Sequence, residues 1–107
     1  MGKGISKTLV PEEIIRRVAE FYNIGVEDLI HGDRREKFCE PRHVAMYLCH
    51  SILGMDNETI GICFGKCRPL ARYAVEKVKG WVAGPRFNRK AAACVETILD
   101  DYKKIKR

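Results

Sequence analysis

The chain has 107 residues, 46% of them hydrophobic and 32% charged, with a formal net charge of +6. That is enough for one small domain with a single core and little to spare. No apolar run approaches the ~20 residues needed to cross a bilayer. The five cysteines, odd in number and without a secretory segment ahead of them, argue against a disulfide framework and for a reducing, cytoplasmic setting. The charge is uneven. Residues 65–107 hold twelve Lys and Arg against four Asp and Glu, whereas 43–64 hold two acids and no Lys or Arg. A basic C-terminal part favours an anionic partner such as a phosphate backbone.

Residues 1–9 read as a flexible N-terminal tail without periodicity. A first helix is expected from Pro11 to about Tyr22, with Glu12 and Glu13 against the positive end of its dipole and a core stripe of Ile14, Ile15, Val18, Phe21 and Tyr22. A short second helix spans Val26 to Ile30 and ends at Gly32. Asp33-Arg34-Arg35-Glu36-Lys37 is then a charged loop, either a solvated turn or an arm that lays Arg34 or Arg35 against phosphates or into a minor groove.

The third helix is expected to open at Pro41-Arg42 and to stop at Gly54, with Val44, Ala45, Leu48, Cys49 and Ile52 deeply buried. Its first turn would aim free N–H groups and Arg42 at a phosphate. His43 and His50 share a face and, lacking partners at ligand spacing, read as surface histidines. The five thiols, with no paired Cys-x-x-Cys among them, read as buried or idle rather than as a metal site.

From Asp56 to Val82 the sequence reads as two helices joined by a tight glycine turn, a helix-turn-helix. Asn57 is the expected cap of the first, Gly65 the turn, and Pro69 part of the first turn of the second. On the second helix Leu70, Ala74, Val78 and Trp81 form the expected core face, with Ala71 beside them. Arg68, Arg72, Glu76 and Lys79 lie opposite, with Lys66 at the entry. That outward face is either an ordinary solvated one or a nucleic-acid reader. Gly61 to Cys67 falls one residue short of a P-loop and ends in Cys where Ser or Thr would hold magnesium, so no nucleotide site is expected. After a break at Gly80 and Ala83-Gly84-Pro85, Asn88 caps a last helix carrying Ala91, Ala92, Val95, Ile98, Leu99 and Tyr102. Its apolar stripe must fold over the same core or dock on a second copy, which leaves a homodimer open.

Several blocks in order resemble one family. Tyr22 to Leu29, Arg34, then Pro41-Arg42-His43-x-Ala45-Met46-Tyr47-Leu48 and Ile60-Gly61-x-x-Phe64-Gly65 are similar to the C-terminal DNA-binding domain, domain IV, of the bacterial chromosomal replication initiator DnaA, of the Trp-repressor-like class. The resemblance implies an all-α bundle with a helix-turn-helix over residues 10–82; the last helix, over 83–107, is an additional element that sets the chain apart from the family. It also implies double-stranded DNA as partner, while the residues themselves, with no nucleophile–base pair, carboxylate cluster or metal constellation, give no expectation of catalysis or of a cofactor. Arg34 falls where the family's basic-loop arginine enters the minor groove, and Arg42 where a phosphate contact is made. The family's base-reading Gly-Arg-Asp-His-Thr-Thr-Val is absent, since this chain has Lys66-Cys67-Arg68-Pro69-Leu70-Ala71-Arg72. Asp33 and Glu40 are acidic where family members are often basic. The expected DNA-binding set is therefore Arg34, Arg35, Arg42, Lys66, Arg68, Arg72 and Lys79. Two functions remain open: a DNA binder with altered base readout serving replication or transcription, and a protein-interaction module on the same scaffold.

Overall fold

The computed structural model describes residues 11–32, 35–66 and 68–106, and among them every regular element is helical: α1 (Pro11–Tyr22), α2 (Val26–His31), α3 (Glu36–Leu53), α4 (Asn57–Phe64), α5 (Arg68–Ala83) and α6 (Arg89–Lys106), with a 3-10 turn at Pro85–Phe87. The N-terminal tail, Asp33, Arg34 and Cys67 lie outside the described residues.

The organising element is α3, which packs against all five other helices. Val44, Ala45, Leu48 and Cys49 are fully buried, as their spacing requires, and Met46 is only 1% exposed; Ile52 is only partly covered. Around this helix close Ile14 and Val18 of α1, Leu29 of α2, Ile60 and Phe64 of α4, Val78 of α5, and Val95 and Ile98 of α6. Burying side chains of this size contributes roughly 1.5–3 kcal/mol each, so one contiguous cluster dominates the stability of so short a chain.

The helix ends follow local chemistry. Asn23, in the left-handed region at φ 57, closes α1, and the N–H of Ile24 reaches back to the Ala19 carbonyl at 3.0 Å. Gly54 and Gly65 (φ 69 and 64) stop α3 and α4 in the same way. The N-cap of α4 is Asp56, not Asn57: its Oδ1 accepts the Thr59 N–H at 2.8 Å, and Asn57 is the first helical residue. Asn88 accepts the Ala91 N–H at 3.0 Å and starts α6 as expected.

Two boundaries differ from the sequence reading. Gly80 does not interrupt α5, which runs on to Ala83. Helix α3 begins at Glu36, so Glu36 and Lys37 of the expected charged loop belong to its first turn, Arg35 is its N-cap, and Pro41 is an interior residue. Pro41 has no N–H to offer the Lys37 carbonyl, but its ring is buried against the core.

The stripe of α6 turns inward on its own chain. Ala91, Cys94, Val95, Ile98 and Tyr102 belong to the common core, and Arg17 of α1 pairs with Asp101 of α6. On α1, Phe21 is 37% exposed and Ala19, not Phe21, completes the buried face. No helix among the described residues is long and apolar enough to cross a membrane.

Candidate nucleic-acid interface

The helix-turn-helix is α4, the turn at Gly65 and α5. Lys66 N–H donates to the Gly61 carbonyl at 2.7 Å, which pins the turn and fixes where α5 departs. Ile60 and Phe64 anchor α4, while Ala71, Ala74, Val75 and Val78 anchor α5. This buried stripe is rotated from the expected one. Leu70 is 51% exposed and stands outside it, and Trp81 is only half-buried.

With the inner face so defined, Arg68, Arg72 and Lys79 fall within about 40° of one another around the helix and all are exposed. A second exposed line, Leu70, Tyr73 and the half-buried Lys77, runs down the flank nearer α3. Among the described residues no salt bridge engages Lys66, Arg68, Arg72 or Lys79. Arg68 is close enough to Asp56 to help hold that carboxyl below its usual range, after the larger effect of the Thr59 hydrogen bonds. Lys66 stands beside Leu70 at the mouth of a cleft between α5 and α3 that is also lined by Cys39, Arg42, His43 and Met46.

Arg42 differs most from expectation. It is only 5% exposed, its Nε donates to the Leu29 carbonyl at 2.7 Å and its Nη2 to the Gly32 carbonyl at 2.6 Å. Those carbonyls belong to the C-terminal end of α2 and the residue after it, which have no helical partners of their own. Because α3 starts at Glu36, Arg42 sits in its second turn rather than at a free N-terminus. Its guanidinium ties α2 to α3 and fixes the origin of the segment that carries Arg34 and Arg35. Gly32 is required there. A Cβ would stand 2.3 Å from the Asp28 carbonyl and 2.7 Å from the Phe38 ring.

Arg35 is exposed at the N-cap of α3 with its guanidinium 5.4 Å from the centre of the Phe38 ring. Arg34 lies outside the described residues, so its place in the minor groove stays an expectation. Glu40 is not a free surface acid: it accepts the Tyr22 hydroxyl at 2.8 Å, linking α1 to α3 and pushing the Tyr22 phenol upward together with the stronger effect of burial.

His43 is half-buried rather than a surface residue. Burial, then the charges of Lys77 and Arg42, hold its imidazole down at about 4, so it is neutral at physiological pH. It meets the Tyr73 ring edge-on, centroids 5.9 Å apart at 86°. Tyr73, Leu70, His43 and Lys77 were absent from the expected site. Leu70 was expected in the core because it shares a helical stripe with Ala74 and Val78, and His43 was expected at the surface. The buried thiols of Cys49 and Cys94 are pushed up to about 12 by burial, and no cluster among the described residues is arranged to hold a metal.

Comparison with known proteins gives the geometry a context. A family model described as the bacterial dnaA protein helix-turn-helix matches residues 11–78, from the start of α1 to near the end of α5. The chromosomal replication initiator protein DnaA of Ruegeria sp. (strain TM1040) is 41% identical over 63 residues, covering 59% of this chain and 13% of that protein. DnaA of Ruegeria pomeroyi is 39% identical over 63 residues, 59% of this chain and 14% of that protein. DnaA of Bartonella quintana is 36% identical over 99 residues, 92% of this chain and 20% of that protein. The chain thus spans a fifth or less of the length of these relatives.

Proposed function

The chain belongs to the bacterial DnaA helix-turn-helix family, and from that premise we propose that it is a double-stranded DNA-binding module whose base readout has been rewritten. The observation that carries this is the outer stripe of α5. The second helix of a helix-turn-helix presents Arg68 and Arg72 one turn apart, continues to Lys79, and has none of the three in a salt bridge among the described residues. In DNA readers of this architecture that helix enters the major groove.

Arginine pairs bidentately with O6 and N7 of guanine for roughly 1–3 kcal/mol of discrimination, so Arg68 and Arg72 would confer a preference for guanine. Lys66 and Lys79 would neutralise flanking phosphates, which position the protein without specifying the site. Arg34 and Arg35 would reach the backbone or the adjacent minor groove. Arg42 would serve them indirectly, by holding the turn from which they project. The biological setting would be replication initiation, its regulation, or transcription.

The test is selection from a random duplex pool at two salt concentrations, with an Arg68→Ala, Arg72→Ala double variant alongside. The reading requires a guanine-containing motif that the double variant no longer selects. If no duplex is retained even at low salt, the reading fails and the same face has been given over to a protein partner.

A further inference from the structure

Cations from the start of α3 and the start of α6 meet across one cleft, and several of them are seated on aromatic rings. The Phe38 ring has the Arg35 guanidinium 5.4 Å from its centre and the Lys37 ammonium 5.1 Å from it. Lys37 and Lys90 line the cleft together, with Tyr22, Ile24, Glu40 and Pro41, and the Lys90 ammonium lies 4.7 Å from the centre of the Tyr22 ring. In the 3-10 turn before α6, the Arg86 guanidinium lies 5.9 Å from the centre of the Phe87 ring. Arg35, Lys37, Arg86, Arg89 and Lys90 are all exposed.

A ring face attracts a cation but leaves its charge uncompensated, so these side chains are held in place and still positive. Among the described residues no salt bridge engages Lys37, Arg86, Arg89 or Lys90. Of the residues lining the cleft only Glu40 is acidic, and its carboxylate accepts the Tyr22 hydroxyl at 2.8 Å. Residues 85–90 hold three cations and no acid. A surface of this kind repels a basic partner and suits a line of anions, which the sugar–phosphate backbone of DNA supplies.

The place of the surface matters as much as its charge. It begins at Arg35, beside the segment that the DNA-binding reading lays against the duplex, and it ends on α6, beyond residue 78 where the match to the family stops. We propose that Lys37 and Lys90, with Arg86 and Arg89 beside them, bind duplex phosphates beyond the Arg34 and Arg35 segment, so that the protein grips more DNA on that side than it reads. The proposal rests on the DNA-binding reading above and adds to it a contact made by the C-terminal helix.

The duplex selected from the random pool is shortened by single base pairs from each end, and binding of the full chain is measured over a range of salt. Shortening from one end only should lower affinity and reduce the logarithmic salt slope by about 1.8, the value of two phosphates, before any base of the motif is removed. A Lys37→Ala, Lys90→Ala double variant should show that reduced slope on the long duplex, select the same motif, and match the unaltered protein on the duplex already shortened at that end. Both side chains are exposed, and an unchanged thermal midpoint would show that the variant folds. An Arg86→Ala, Arg89→Ala pair, which leaves the Tyr22 and Phe38 rings their cations, should act in the same direction. Equal losses on long and short duplexes would mean a general loss of charge and would overturn the proposal, as would a salt slope indifferent to the length of either flank; the DNA-binding reading would then stand. If no duplex is bound at all, both fall together.

Discussion

Arg42 is an arginine that the sequence offers to a phosphate and the fold uses for itself. A guanidinium this deeply buried must satisfy its donors inside the protein, and the carbonyls of Leu29 and Gly32 are the acceptors within reach. Arg42→Ala would take that partner from both carbonyls, the Leu29 one buried and the Gly32 one partly so, and should destabilise the protein by roughly 2–4 kcal/mol, read as a lower urea midpoint with an unchanged slope. Arg42→Lys should recover only part of this, since a single ammonium cannot reproduce the two-pronged geometry. A residue that only touched a phosphate would leave the urea midpoint where it was. Weakened DNA binding by Arg42→Lys in a folded protein would then report the displaced loop, not a lost contact.

Helix positions were legible where one local rule acts alone. The apolar period located α1 and α6, Asn88 marked the start of α6, and Gly54 and Gly65 marked the ends of α3 and α4, because a cap or a left-handed glycine needs no distant partner. Rules failed where a neighbour decides. Proline suits the first turn of a helix, yet α3 takes Pro41 into its interior because the ring is buried there. On α5, Leu70-Ala74-Val78 and Ala71-Ala74-Val75-Val78 are both helical stripes sharing two residues. Packing against α3, α4 and α6 selects the second and turns Leu70 outward. The candidate site inherited that ambiguity, so its arginines were found and its apolar flank was missed. For α6 the sequence left open whether its stripe folds home or meets a second copy, and Ile98 lies 1% exposed in the core of its own chain. Ile98→Ala should therefore cost about 2–5 kcal/mol, with a thermal midpoint independent of protein concentration. A midpoint rising with concentration would instead place the stripe between two copies.

Charge over the entire chain acts at longer range than any one contact, and it separates residues that position DNA from residues that read it. Residues 65–107 carry an excess of eight positive charges, and 43–64 carry an excess of two negative ones, so the chain is electrically lopsided along its length. Association with a duplex should accordingly fall steeply with salt, by about 0.9 in logarithmic slope for each phosphate neutralised. Lys79 is exposed and without a salt bridge among the described residues. Lys79→Ala should lower that slope by about one phosphate's worth and weaken all sequences alike. Arg68→Ala should do the converse, relaxing the choice of base at one position with little change in slope. The two variants differ by a single cation each, so equal effects on slope and on preference would mean that the face binds only as a charged surface. Opposite effects would mean that the scaffold has kept the division between anchoring and reading while changing which bases it reads.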